Sequence, residues 1–166
     1  FFGWAAQKVV RESRHISAKA YLYYFDHPME WAEQRGIFAA HSYELPFTFN
    51  NIEHNVKYSK NWPDLKPRRS DIRMANIMSD YWVAFAKRGM PVDKDLPAWP
   101  AYTEQSRGYM AFRNGRAEPG KNLLPGSFEL HEKIIQSRRD RGDRHWNLVN
   151  IGLLAPVISS DPVITP

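Results

Sequence analysis

The sequence contains no cysteine, so it forms no disulfide bond and offers no thiolate ligand to a metal ion. It also has no apolar run that approaches the ~20 residues needed to span a bilayer. No basic leader precedes the first apolar residues, Phe1 and Phe2, so we expect no signal peptide there. These absences are compatible with both a secreted and a cytoplasmic location.

Charge and metal-ligating side chains give weak signals. The chain has 23 Lys and Arg against 18 Asp and Glu, a net charge of +5, which bears on solubility rather than fold. The basic segment 138–145 is interrupted by Asp140 and Asp143 and belongs to no recognisable nucleic-acid-binding module, so we expect a solvated helix end and no nucleic-acid partner. The six histidines show no H-x-x-x-H, H-x-H or HExxH spacing, so we expect no metal site.

The first part of the chain predicts a helix followed by a buried strand. Apolar residues recur at helical spacing over residues 2–13. Residues 18–26 are apolar and aromatic on both faces, which is typical of a strand that is covered on both sides in a parallel sheet. A helix that leads into such a strand indicates an α/β fold. Residues 27–40 are predicted to be a loop, and residues 51–69 a surface loop.

A long helix is predicted to begin at Ser70, as the N-cap, with Asp71 at the positive end of the helix dipole. Gly89 is placed to end it in a left-handed conformation, and Pro91 prevents its continuation. Its apolar stripe comprises Met74, Ile77, Met78, Tyr81, Trp82 and Phe85.

Two short elements are predicted further along the chain. Residues 109–113 predict a strand that ends at Asn114-Gly115, a pair that favours a type I′ turn and therefore a hairpin. Residues 127–141 predict a terminal helix with acidic residues early and basic residues late, as the helix dipole prefers.

The clearest functional signal is a histidine in residues 39–50. The pattern His-x-x-Glu-(Leu/Ile)-x-Phe-x-Phe is carried by His41, Glu44, Leu45, Phe47 and Phe49. It resembles the histidine segment of the type-B carboxylesterases, the branch of the α/β-hydrolase superfamily that includes cholinesterases and para-nitrobenzyl esterases. The resemblance implies that His41 is the general base of ester hydrolysis and that no cofactor is needed.

A second block of similarity lies in the long helix and the segment after it. It reads Met78-x-x-Tyr81-Trp82-x-x-Phe85-Ala86-x-x-Gly89-x-Pro91, followed by Trp99-Pro100-x-Tyr102. Met90 and Val92 depart from the family, which often has Asp and Asn there, and this alters a turn. The resemblance implies that residues 1–146 are the C-terminal part of an α/β-hydrolase domain, with its last main sheet strands and flanking helices. Residues 147–166 are then an extended tail.

The nucleophile that such a histidine serves is missing from the sequence. No serine lies within a G-x-S-x-G motif, and there is no glycine-rich oxyanion segment. In α/β-hydrolases the order is Ser, acid, His, so the resemblance places the serine and the acid before Phe1. Glu44 is too close to His41 along the chain to reach the far nitrogen of its ring. It is either a supporting carboxylate near the site or a helix-start acid without catalytic effect.

The remaining candidates concern the substrate pocket. Trp31 and Phe38 lie in the loop after the strand, where α/β folds bind ligands. They either line an acyl or alcohol pocket or pack the loop down. The expected partners are a small-molecule ester and the N-terminal remainder of the same hydrolase domain.

Two classes of function are compatible with this sequence. The complete protein is either a serine esterase that works through an acyl-serine or an inactive homologue that acts as a binding or adhesion module. A truncated, inactive remnant is the further alternative to an active esterase. The chain alone is expected to be inactive. It is also expected to fold poorly, because strand 18–26 would lose a parallel neighbour and expose an apolar edge.

Overall fold

The computed structural model describes residues 2–16, 19–54 and 66–142. Its elements are α1 (Phe2–Glu12), a 3₁₀ turn (Ser13–His15), β1 (Tyr23–Asp26), α2 (Glu30–Glu33), α3 (Leu45–Thr48), α4 (Arg69–Arg88), β2 (Gly108–Arg113), β3 (Arg116–Lys121) and α5 (Ser127–Asp140). The predicted tail, its boundary at residue 146 and most of the predicted surface loop lie outside these residues. The chain forms two compact units, residues 10–123 and a second unit that joins the start of the chain to the segment from Leu124.

The strands form a small mixed sheet in the order β1-β2-β3. β1 pairs in parallel with β2, so that Tyr23 lies opposite Met110, and β2 pairs antiparallel with β3. The parallel pairing of the first strand was predicted, but β1 is shorter than residues 18–26. Before it, the carbonyl groups of Ala20 and Leu22 accept hydrogen bonds from the backbone N–H groups of Tyr102 and Met110, respectively. The Leu22 carbonyl also accepts one from the indole N–H of Trp99.

Alternate residues of the β1 segment face two separate apolar clusters. Tyr21 and Phe25 pack against the larger cluster, whereas Leu22 and Tyr24 belong to the smaller one. The larger cluster consists of Met29, Phe47, Ile52, Met74, Ala75, Met78, Tyr81, Trp99, Met110, Phe112 and Ala117. Both faces are therefore covered, as predicted, although Tyr23 is 37% exposed.

The hairpin between β2 and β3 turns at Asn114 and Gly115, with φ values of 49° and 70°. Two consecutive positive φ angles are the requirement of a type I′ turn, so the prediction from Asn-Gly is confirmed. A Cβ atom on Gly115 would lie 3.1 Å from the Ser70 carbonyl oxygen. The turn therefore lies directly against the first residues of α4.

α4 ends as predicted but begins differently. Gly89 is left-handed with φ 68°, and its N–H group donates to the carbonyl of Phe85. The prediction of Ser70 as the N-cap was wrong: Arg68 is the N-cap, and its backbone N–H group donates to the Asp71 carboxylate at 2.7 Å. The Asp71 carboxylate, at the third helical position, thus reaches back to the N–H group of the N-cap residue.

The apolar stripe of α4 is correct except at its end. Met74, Met78 and Tyr81 have no exposed surface, but Phe85 is 47% exposed. Its ring meets the ring of Tyr21 edge-on, with 5.9 Å between centroids. Buried Ala84 takes the core-facing position in that turn of the helix.

The segment after β1 contains the short helix α2, where a loop was predicted through Ala40, and a second short helix, α3, follows that segment. The alternating apolar residues Leu45, Phe47 and Phe49 are not all buried on one face. Phe47 has no exposed surface, whereas Phe49 is 69% exposed. The reason is that a helical turn rotates successive residues by about 100°, which separates residues two apart.

In the second unit, α5 confirms the predicted terminal helix. Glu132 accepts hydrogen bonds from the indole N–H of Trp4 at 2.7 Å and from the ammonium group of Lys8 at 3.0 Å. Phe128 and Ile135 are buried. Leu130 and Ile134, in contrast, are 57% and 49% exposed. None of the helices in the described ranges has the length and apolar character needed to cross a membrane.

Candidate active site at His41

His41 lies in a turn between α2 and α3, and its side chain is exposed. Two hydrogen bonds hold this turn: the N–H group of Tyr43 donates to the carbonyl of Ala40, and that of Leu45 donates to the carbonyl of Ser42, both at 3.2 Å. The imidazole is therefore presented at the surface of its unit on a hydrogen-bonded backbone.

The backbone beside His41 adopts an unfavourable conformation. Ser42 has φ 69° and Phe38 has φ 57°. Both are in the left-handed region, which costs a residue other than glycine on the order of 1 kcal/mol. Such residues cluster at functional sites, where the surrounding structure holds them in place.

α3 anchors the turn to the interior. It begins immediately after Glu44, with Pro46 in its first turn, where proline's missing N–H group is not needed. Phe47 is fully buried, and its ring lies 5.1 Å from the ring of Phe25 and 5.3 Å from that of His27. The exposed histidine thus lies six residues before a fixed aromatic anchor.

Glu44 is half-buried at the N-cap position of α3 and makes no capping hydrogen bond with its side chain. Burial raises the pKa of the Tyr23 hydroxyl, and the negative charge of Glu44 raises it further. The carboxylate therefore acts electrostatically on a residue of β1. Its predicted supporting role for His41 stays a prediction.

The two pocket candidates differ in their surroundings. Trp31 packs against the larger apolar cluster, and its ring meets that of Tyr43 at 5.3 Å. The guanidinium of Arg35 lies 6.0 Å from the centre of the Trp31 ring. Phe38 is 61% exposed. The structure thus gives Trp31 packing partners and leaves the Phe38 ring accessible.

A second histidine makes a buried hydrogen bond that the sequence did not reveal. The Nε2–H group of His27 donates to Oδ1 of Asp71 at 2.8 Å, and the side chains are 3% and 1% exposed. The residues are 44 positions apart. The sequence showed a histidine just after a strand and an acid in a first helical turn, and neither pattern identifies its partner.

Arg68 completes this cluster. Its Nε and Nη2 atoms each lie 3.3 Å from an oxygen of Asp71, and Nη2 also donates to the carbonyl of Pro28 at 2.7 Å. Nη1 donates to Glu33 at 2.9 Å. Burial opposes ionisation of Asp71, but hydrogen bonds from His27 and Arg68 outweigh it and hold the pKa of the carboxyl below its usual value.

The described residues contain no group of three or more His, Cys, Asp or Glu side chains arranged to hold a metal ion. The site presents an exposed imidazole on an anchored turn. The same unit also contains the cluster formed by His27, Asp71 and Arg68. An imidazole in that position is suited to accept and donate a proton.

Comparison with known proteins gives a consistent result. Residues 1–128 match the model of the carboxylesterase family. A human cocaine esterase is 28% identical over 138 residues, which is 79% of this chain and 23% of that protein. The canine carboxylesterase 5A is 31% identical over 115 residues, 66% of this chain and 19% of that protein. The chain thus spans less than a quarter of the length of these relatives.

Solved structures agree on the fold. An esterase from Clostridium hathewayi that can hydrolyse aliphatic aromatic polyesters superposes with a TM-score of 0.61 at 24% identity, covering 76% of this chain and 23% of that one. A thermophilic PNB esterase superposes with a TM-score of 0.58 at 24% identity, covering 72% of this chain and 23% of that one. The small mixed sheet and its helices therefore correspond in fold to part of these esterase structures.

Proposed function

Because the chain belongs to the carboxylesterase family, we propose that it supplies the catalytic histidine of a serine carboxylic ester hydrolase. The single observation that carries the proposal is the position of His41: it occupies the histidine of the family motif and lies exposed on a turn anchored by α3. The relatives are more than four times longer than the segment they share with this chain. The nucleophilic serine and the orienting acid are accordingly assigned to the remainder of the hydrolase domain.

In the proposed reaction His41 moves a proton twice. It first takes the proton of the serine hydroxyl as the serine oxygen attacks the ester carbonyl, and it then gives that proton to the departing alcohol. In the second half it removes a proton from water as the water oxygen attacks the acyl-serine, and it returns that proton to the serine oxygen as the carboxylic acid leaves. No cofactor takes part. An acid from outside this chain holds the ring in the tautomer that the first step requires.

His27 is the alternative base within this chain, and its environment argues against it. It already donates its Nε2–H group to Asp71, which resembles half of a catalytic triad. However, its side chain is 3% exposed, and its ring packs against Phe25 and Phe47. A general base must come within hydrogen-bond reach of its substrate, and this packing blocks such an approach. We therefore assign the proton transfers to His41.

The pocket assignments follow the exposure of the candidates. Phe38, with an accessible ring, is proposed to contact the acyl or alcohol group of the ester. Trp31 is proposed to support the turn through Tyr43, and Glu44 to act on the site through its charge. The relatives are named for substrates as different as cocaine and aliphatic aromatic polyesters, so likeness to them does not select one ester.

The test replaces His41 in the complete hydrolase and measures turnover of an activated p-nitrophenyl ester. We expect His41→Ala to lower kcat by on the order of 10⁴ or more, the scale of triad deletions. The matched control is His54→Ala, because His54 is also an exposed histidine in a turn, and it should leave kcat unchanged. Near wild-type turnover by His41→Ala would exclude this histidine as the base.

The residue at the upstream nucleophile position separates this proposal from the binding-module alternative. The coding sequence before Phe1 should contain an in-frame G-x-S-x-G motif. A glycine or alanine in place of that serine would favour an inactive binding or adhesion module. A closed reading frame would indicate a truncated remnant.

A further inference from the structure

The cluster formed by His27, Asp71 and Arg68 touches both ends of the segment that carries His41. His27 and Pro28 begin this segment, and Phe47 ends it. Asp71 and Arg68 belong to the start of α4, more than 20 residues beyond Phe47. The cluster therefore joins the segment 27–47 to a separate helix.

We infer that Asp71 is a positioning residue for the reaction: through His27 and Arg68 it sets where the segment 27–47 places His41. This inference rests on the proposed role of His41 as the general base. No atom of Asp71 needs to approach the substrate, because the side chain is 1% exposed and acts through its two partners.

Each partner of Asp71 controls a different part of the segment. His27, held at 2.8 Å by Asp71, presents its ring to the edge of Phe47, which fixes the residue that follows the His41 turn. Arg68 holds the carbonyl of Pro28 at 2.7 Å and the carboxylate of Glu33 at 2.9 Å, which fixes the start of the segment and α2. The turn with His41 lies between these attachments.

The chemistry of the cluster favours positioning over stability as its role. Taking the Asp71 carboxylate and the Arg68 guanidinium out of water costs free energy that can exceed their attraction, so the pair by itself is weak evidence for a stabilising role. Hydrogen bonds to an ionised carboxylate are directional, however, and they define one geometry where apolar contacts allow several. A general base must be held in one position, because a displacement of the catalytic group by about 1 Å can lower the rate by on the order of 10²-fold.

The experiment uses the complete hydrolase and three variants. Asp71→Asn removes the negative charge of the carboxylate that accepts hydrogen bonds from His27 and Arg68. His27→Gln keeps an N–H donor near the position of Nε2, whereas His27→Asn shortens the side chain and withdraws that donor. For each protein, kcat is expressed per active site, counted from the burst of p-nitrophenol released during acylation, so that misfolded molecules do not contribute.

We expect Asp71→Asn and His27→Asn to lower kcat by roughly 10- to 100-fold, with KM within about threefold of the wild type. His27→Gln should recover kcat to within about threefold. Amide hydrogen exchange in the same proteins should accelerate in the segment 28–49 in the two impaired variants and not in His27→Gln.

Tyr81→Phe is the control for a purely structural effect. It deletes a buried hydroxyl of the same helix whose hydrogen bond goes to the carbonyl of Pro97, away from the segment 27–47. It should lower stability and leave kcat per site unchanged. If Asp71→Asn behaves like Tyr81→Phe, or if His27→Asn matches His27→Gln, the positioning role is refuted. If His41→Ala itself retains turnover, the proposed function fails instead.

Discussion

The ring of Phe47 lies edge-on against the ring of His27, with centroids 5.3 Å apart and planes at 79°. This contact connects the end of β1 to the helix that follows the His41 turn. It places an apolar ring with no exposed surface beside the buried hydrogen bond between His27 and Asp71. The packing of this one ring therefore has consequences for both stability and activity.

Replacement of Phe47 by alanine should be strongly destabilising. Removing a fully buried phenylalanine ring typically lowers the free energy of unfolding by about 3–5 kcal/mol, because transfer and cavity terms add. Phe49→Ala is the matched control, since Phe49 is 69% exposed, and it should cost less than about 0.5 kcal/mol. Urea unfolding of the complete protein, followed by tryptophan fluorescence, measures both. Equal costs would contradict the difference in burial.

The ion pair of Asp71 should give the protein a specific sensitivity to acid. Its carboxyl has a lowered pKa in the folded state, against about 3.9 in an unfolded chain. Between the lowered pKa of the folded state and about 3.9, the unfolded state binds more protons than the folded state. The free energy of unfolding therefore falls as the pH falls. The contribution of the Asp71 carboxylate to the free energy of unfolding is complete above about pH 5, and it is lost as the pH drops through the lowered folded pKa. Asp71→Asn should therefore flatten the loss of stability below about pH 4, measured by urea unfolding at each pH.

A wild-type and an Asp71→Asn curve that remain parallel down to pH 2 would contradict this assignment. The comparison needs no assumption about catalysis. It tests the folded-state environment of the carboxylate alone, and it therefore complements the kinetic test of the same variant.

Gly120 should not tolerate a side chain. It lies opposite Tyr109 in the hairpin, and a Cβ atom there would approach the Tyr109 ring to 2.5 Å. The tyrosine ring covers the glycine, so Gly120→Ala must displace it, at a cost of about 1–3 kcal/mol. Lys121→Ala, at the exposed neighbouring position, should change stability by less than about 0.5 kcal/mol. Thermal unfolding of both variants measures these changes in stability. An unchanged stability of Gly120→Ala would show that the Tyr109 ring moves away without cost.

The 166-residue chain by itself should neither hydrolyse esters nor unfold cooperatively. Within the described residues β1 is hydrogen-bonded to β2 and lies at the edge of the sheet. An edge strand presents unpaired backbone groups and favours association with other chains. Near-ultraviolet circular dichroism on heating should show no sharp transition, and p-nitrophenyl acetate should be hydrolysed at the background rate. A single sharp transition would contradict the folding prediction, and turnover abolished by His41→Ala would contradict the predicted inactivity.

Several local features were correctly predicted from the order of the residues. The end of α4 at Gly89 and the turn at Asn114-Gly115 are of this kind. Each depends on the conformational preference of one or two residues, which acts before any distant contact forms. The histidine motif is similarly local, because His41 and its anchor Phe47 lie within one short segment. The sequence by itself therefore determined the family resemblance, the principal elements and the candidate base.

The tertiary structure decided the partnerships over long separations. Asp71 is in the predicted first turn, but it serves His27 and Arg68 as well as the helix terminus, and it displaces Ser70 from the capping role. Phe85 continues the stripe of α4 in sequence and is still half exposed. The physical reason is the same in each case. Helical periodicity defines which residues share a face of a helix. The packing of the sheet and the helices then determines how much of that face is covered and which polar side chains from distant parts of the sequence come into contact.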